Sequence, residues 1–156
     1  MAEKLNPTPF RKALFRRYLL MLVPAAVIFG GWAAYRQTGM AQPVTTATDI
    51  IGPVVFIAGI ILAAALPLLY RINFVRNMVG KKNVESGQFL SFQLNLMSIA
   101  LLAPYTAAAA YIAGVPNFYF SGAFLASLYA TYYYFPSEKR VIQEMKLFRV
   151  TDDKAA

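Results

Sequence analysis

The chain has 156 residues, 58% of them hydrophobic and 14% charged, with 15 Lys and Arg against 7 Asp and Glu. That composition excludes disorder, which needs low hydrophobicity, and it is poorer in charge than a soluble domain. Without Cys or His, there is no disulfide, thiolate metal site, iron–sulfur cluster, bis-histidine haem or histidine base. No catalytic residue, metal or cofactor is therefore expected.

Residues 1–17 form a basic leader with Lys4, Arg11, Lys12, Arg16 and Arg17. Thr8 and Pro9 read as N-cap and first helical residue. Phe10 and Leu14 then share one face, as in a short amphipathic turn that lies on a membrane surface and runs into the first span. The first apolar stretch, 18–35, carries no charge. Gly39-Met40-Ala41 has the small-x-small spacing of a signal-peptide cleavage site. The apolar core before it exceeds the usual length of about 7–15 residues and Arg36 intervenes, so an uncleaved helix is expected. Arg36 and Asp49 flank the first outer loop, where an exposed pair would be worth only ~0–1 kcal/mol.

The second stretch, 50–70, is also uncharged, and a basic segment, 71–88, follows with Arg71, Arg76, Lys81 and Lys82. The third stretch, 89–113, carries the one patterned polarity. Gln88, Ser91, Asn95, Ser98 and Thr106 fall close to one helical face, with Gln93 off it. Within hydrocarbon such groups face protein or a cavity, so the stripe reads as a helix contact or as a polar path. A tight turn, 114–117, leads to the fourth stretch, 118–135. Its run Tyr132-Tyr133-Tyr134 points three ways around a helix and suits interfacial anchoring.

The tail, 136–156, repeats the amphipathic pattern of the leader. Ser137 is placed to cap a helix, Glu138 suits its positive end, and Val141, Met145 and Phe148 recur at i, i+4 and i+7. Lys139, Arg140, Lys146 and Arg149 would then meet headgroups or a partner. A faint repeat at an offset of 80 relates Leu22-Val23-Pro24 to Leu102-Ala103-Pro104.

The four stretches have 18, 21, 25 and 18 residues. At ~1.5 Å per residue each approaches the ~30 Å hydrocarbon thickness. Continuous rather than alternating apolarity selects helices over barrel strands. Fourteen of the 15 basic residues lie on the side of both termini and only Arg36 on the other. The positive-inside rule then places both ends in the cytoplasm. The expectation is a single domain, 1–156, an all-α four-transmembrane-helix bundle in the inner membrane of a bacterium-like cell.

Small residues at four-residue spacing, namely Gly30 with Ala26 and Ala34, Gly59 with Ala63, and Gly122 with Ala126 and Ala130, would let helix backbones approach closely. Arg11, Lys12, Arg16, Arg17, Arg71, Arg76, Lys81, Lys82, Lys139 and Arg140 are candidate contacts for anionic lipid or a partner. No span holds a carboxylate of the kind that proton-coupled carriers use. These features lead to a non-catalytic accessory, assembly or scaffold subunit of a membrane complex. Its partners would be membrane lipids and other subunits or copies of itself, not nucleic acid. The alternative is a small transporter or channel subunit with a neutral path along the third helix.

Overall fold

The structure is a computed structural model that describes residues 7–39, 48–79 and 83–151. Lys4, Lys81, Lys82 and the side chain of Asp49, and with it the Arg36–Asp49 pair, lie outside the described residues. The described residues form helices apart from one short strand pair and the connecting turns. In order, the elements are α1 (Pro7–Gln37), α2 (Thr48–Ile60), a π-helical turn (Ile61–Ala65), α3 (Leu66–Met78), β1 (Val84–Glu85), α4 (Ser86–Ala100), α5 (Ala103–Ala113), α6 (Asn117–Tyr133), α7 (Glu138–Leu147) and β2 (Val150–Thr151). Among the described residues, three helical runs are long and apolar enough to cross a membrane: Pro7–Gln37, Ile50–Met78 and Ser86–Ala113.

Each run extends beyond its apolar stretch, because propagating a helix already nucleated costs far less than starting one. In α1 the leader runs straight into the first apolar stretch, as its sequence anticipates. Helical geometry begins at Pro7, one residue before the expected cap, and continues unbroken past Pro24. The fourth stretch is shorter than its apolar count. α6 has 17 residues, about 25 Å at 1.5 Å per residue, because Pro136 follows and Tyr134 has already left helical geometry.

Two prolines shape the long runs. Pro67 has no N–H to give to Ala63, and its ring would crowd that carbonyl. The helix accommodates it by widening one turn, in which the Leu66 N–H donates to the Ile61 carbonyl five residues back. Pro104 stands in the same relation to Ala100, but here the run breaks at Leu101–Leu102. Leu102 N–H donates to Ile99 O at 3.2 Å and Tyr105 N–H to Leu102 O at 3.0 Å, the tighter 3₁₀ pattern. Pro24, by contrast, lies within a continuous helix, so the two Leu-x-Pro segments of the faint repeat do not share a backbone course.

The helices bury two aromatic or aliphatic cores separated by alanines. At the basic end Leu14, Tyr18, Phe89, Met97, Leu101, Val141 and Met145 pack together, with Val84 and Val150 brought in by the parallel β1–β2 pair. At the far end Ala110, Val115 and Ala123 cluster with Ile51, Val55 and Tyr119. Gly114, at φ 65°, ends α5 in the left-handed conformation that glycine adopts freely, which turns Val115 back onto Ala110. Between the cores Ala63, Ala100, Ala103 and Ala130 meet, and both proline irregularities adjoin this layer.

Candidate functional site

The polar residues of α4 and α5 diverge to three different neighbours. Asn95 Nδ2 donates to the Tyr70 hydroxyl of α3 at 3.3 Å. Ser98 accepts from Arg17 Nε of α1 at 3.1 Å and donates back to Leu94 O at 2.8 Å. Thr106 donates to Ala103 O at 2.8 Å, and its hydroxyl lies where a Cβ on Gly59 would meet it at 3.0 Å. Gln88, Ser91 and Asn95 are thus together, while Ser98 and Thr106 belong to helix contacts elsewhere.

Those first three line an open groove of about 450 Å³ between α3 and α4 at the basic end. The facing wall, on α3, carries Tyr70, Phe74 and Met78. Phe92 stacks on Phe74 at 3.9 Å and on Tyr70 at 5.6 Å between ring centroids. Glu85, at the entrance, is the one charged residue lining the groove among the described residues.

Across α4 from this groove, α7 packs onto the bundle. Ser137 caps α7 as its sequence anticipates, accepting from the Arg140 N–H at 3.4 Å. Val141 and Met145 are buried in the basic-end core and Phe148 is packed against it, so the apolar face of α7 meets the chain's own helices. Amphipathic spacing defines that face without naming what covers it. The contact is fastened by a fork. Arg71 Nη1 lies 3.3 Å from Glu144 Oε1, and Nη2 donates to Oε2 at 3.3 Å. Gln93 Nε2 reaches the same carboxylate at 3.5 Å. The Arg71 and Glu144 side chains are only 29% and 14% exposed, and paired bonds of this kind are among the stronger polar contacts. Glu144 and Gln93 were missed in the sequence because their partners are 51 or more residues away. Gln93 was legible only as the polar residue that left the stripe.

The remaining basic residues are more exposed. Arg11 pairs with Glu138 at 3.6 Å, both side chains more than half exposed. Arg140 lies over the rings of Tyr133 and Tyr134, 4.6 and 5.3 Å from their centroids. Lys12, Arg16, Arg76 and Lys139 face outward. α1 and α7, distant in sequence, therefore bring Arg11, Lys12, Lys139 and Arg140 to one end of the molecule. Of the eight small residues, Gly59, Ala63, Gly122, Ala126 and Ala130 are packed within the chain, while Ala26 and Ala34 are exposed. A Cβ on Gly59 would also lie 3.5 Å from the Ala123 Cα, and one on Gly122 would strike the Phe56 ring. Ala126 and Ala130 belong to the alanine layer. Gly30 differs, with nothing within 4 Å of a Cβ.

Comparison with protein-family models, curated proteins and solved structures finds no match for this chain. Among the described residues no group of three or more His, Cys, Asp or Glu could hold a metal ion.

Proposed function

We propose that the protein is a non-catalytic accessory, assembly or scaffold subunit of an inner-membrane complex. It would contact lipid and other membrane subunits, or further copies of itself, and not nucleic acid. The observation that carries this reading is the outer surface of α1. Leu19, Leu20, Val23, Val27 and Ile28 are all exposed along it, and Gly30 and Gly31 continue it with open space above them. A membrane helix that spends so little of its surface on its own chain can receive a neighbouring helix, and small residues allow close approach.

In this reading the chain crosses the membrane four times, α6 with its flanking residues being the fourth span, and the basic end is cytoplasmic. Because the protein has no Cys, single-cysteine variants report topology directly. Thr38→Cys should react with an impermeant maleimide from outside intact cells, and Ser137→Cys only after permeabilisation. Affinity purification in mild detergent tests the functional part. A stable co-purifying membrane subunit or a homo-oligomer is expected; a monomer without neighbours defeats it.

A second reading, a small transporter or channel subunit, draws on the α3/α4 groove. Replacing both Ser91 and Asn95, which line it, with Ala should abolish solute flux in reconstituted vesicles under that reading. Unchanged flux, or none from the wild type, removes it.

A further inference from the structure

The groove between α3 and α4 is not used by an accessory role, and its lining is distinctive in charge. The argument rests on the membrane placement proposed above but not on the identity of any partner subunit. Tyr70 and Asn95 stand at the apolar end of the groove and Glu85 and Gln88 at its basic-end mouth. Leu66 and Leu69 of α3 are exposed beyond its apolar end and continue it with hydrocarbon surface. A volume of about 450 Å³ lies in the range of ~300–1,000 Å³ typical of small-ligand sites.

The electrostatics are the reverse of the rest of this end. The protein carries a net charge of +8, yet among the described residues no Lys or Arg lines the groove and Glu85 does. Glu85 has no ion-pair partner among the described residues, since the carboxylates that do are Glu138 and Glu144. It is the residue before α4, but its side chain does not cap that helix. Gln88 and Ser91 likewise make no side-chain hydrogen bond among the described residues. A free carboxylate beside unused neutral polar groups forms a set that suits an ammonium group, by ion pairing and polar contact.

We infer that this groove binds the ammonium headgroup of a zwitterionic membrane lipid. The headgroup amine meets Glu85, polar headgroup atoms meet Gln88 and Ser91, and an acyl chain lies along the exposed leucines of α3. Anionic lipids, which the surrounding basic surface attracts, are excluded from the groove itself by the Glu85 carboxylate.

Native mass spectrometry of the full-length protein, released from detergent with added lipids of identical acyl chains, tests this. Phosphatidylethanolamine and phosphatidylcholine should be retained over phosphatidylglycerol by about fivefold, the scale of an exposed ion pair. Glu85→Gln should remove the preference, whereas Glu138→Gln, outside the groove, should keep it. Gln88→Glu, which adds a second carboxylate, should strengthen it; this gain cannot arise from misfolding. Dodecyltrimethylammonium should displace the lipid, and ethylammonium at the same concentration should not. The inference is overturned if phosphatidylglycerol is retained equally or better, or if the preference survives Glu85→Gln. Equal displacement by ethylammonium would also overturn it, by marking a site for a free soluble amine.

Discussion

Removing the Glu144 carboxylate should loosen α7 without unfolding the bundle. Deleting one partner of a buried ion pair costs about 3–5 kcal/mol, mostly because the other charge is stranded. Here Arg71 keeps 29% of its side chain exposed and can rehydrate, so about 2 kcal/mol is the appropriate figure for Glu144→Ala. The buried Val141 and Met145 remain, each worth roughly 1.5–3 kcal/mol by burial, and hold the helix docked most of the time. About 2 kcal/mol corresponds to roughly 30-fold more frequent opening. Hydrogen exchange of the α7 backbone amides in detergent reads that opening as a loss of protection. Glu138→Ala is the internal comparison. Its partner Arg11 lies 3.6 Å away with both side chains more than half exposed, and the loss should stay within about fivefold. Unchanged α7 protection in Glu144→Ala, or an equal loss in Glu138→Ala, would refute the reasoning.

The helix contacts make further demands. Gly59→Val should lower the melting temperature in detergent, at a cost of about 1–3 kcal/mol for overpacking, first against the Thr106 hydroxyl and then against Ala123; Gly30→Val, with open space around it, should change it little. Tyr18→Phe should destabilise by about 1 kcal/mol, because the Tyr18 hydroxyl donates to Thr131 O at 3.0 Å and ties α1 to α6. Met145→Ala should cost about 2–3 kcal/mol and, like Glu144→Ala, show its largest exchange increase in α7.

Much of this fold is legible from hydropathy, because long uncharged runs leave a chain few options other than helices. Helix ends are less legible: apolarity marks where lipid would lie, whereas α1 and α3 continue through Arg11 and Arg76 by ordinary helix propagation. Proline is ambiguous by itself, since Pro24, Pro67 and Pro104 yield a continuous helix, a widened turn and a break. What surrounds each proline decides, and that is tertiary. The same holds for the site. Gln88, Ser91 and Asn95 are visible as a stripe, but Ser98 is drawn to Arg17 and Thr106 to the α2 contact by helices that the local sequence does not reveal. The amphipathic face and Ser137 cap of α7 are visible too. Their target is not, because Arg71 and Glu144 are 73 residues apart.

The most direct test of an accessory subunit is site-specific photo-crosslinking from α1 in cells. A photoreactive residue at Val27, 65% exposed, should give one reproducible adduct with another membrane protein or a second copy, while the same residue at Ala110, 0% exposed, should give none. Adducts at Val27 with lipid alone would contradict the account.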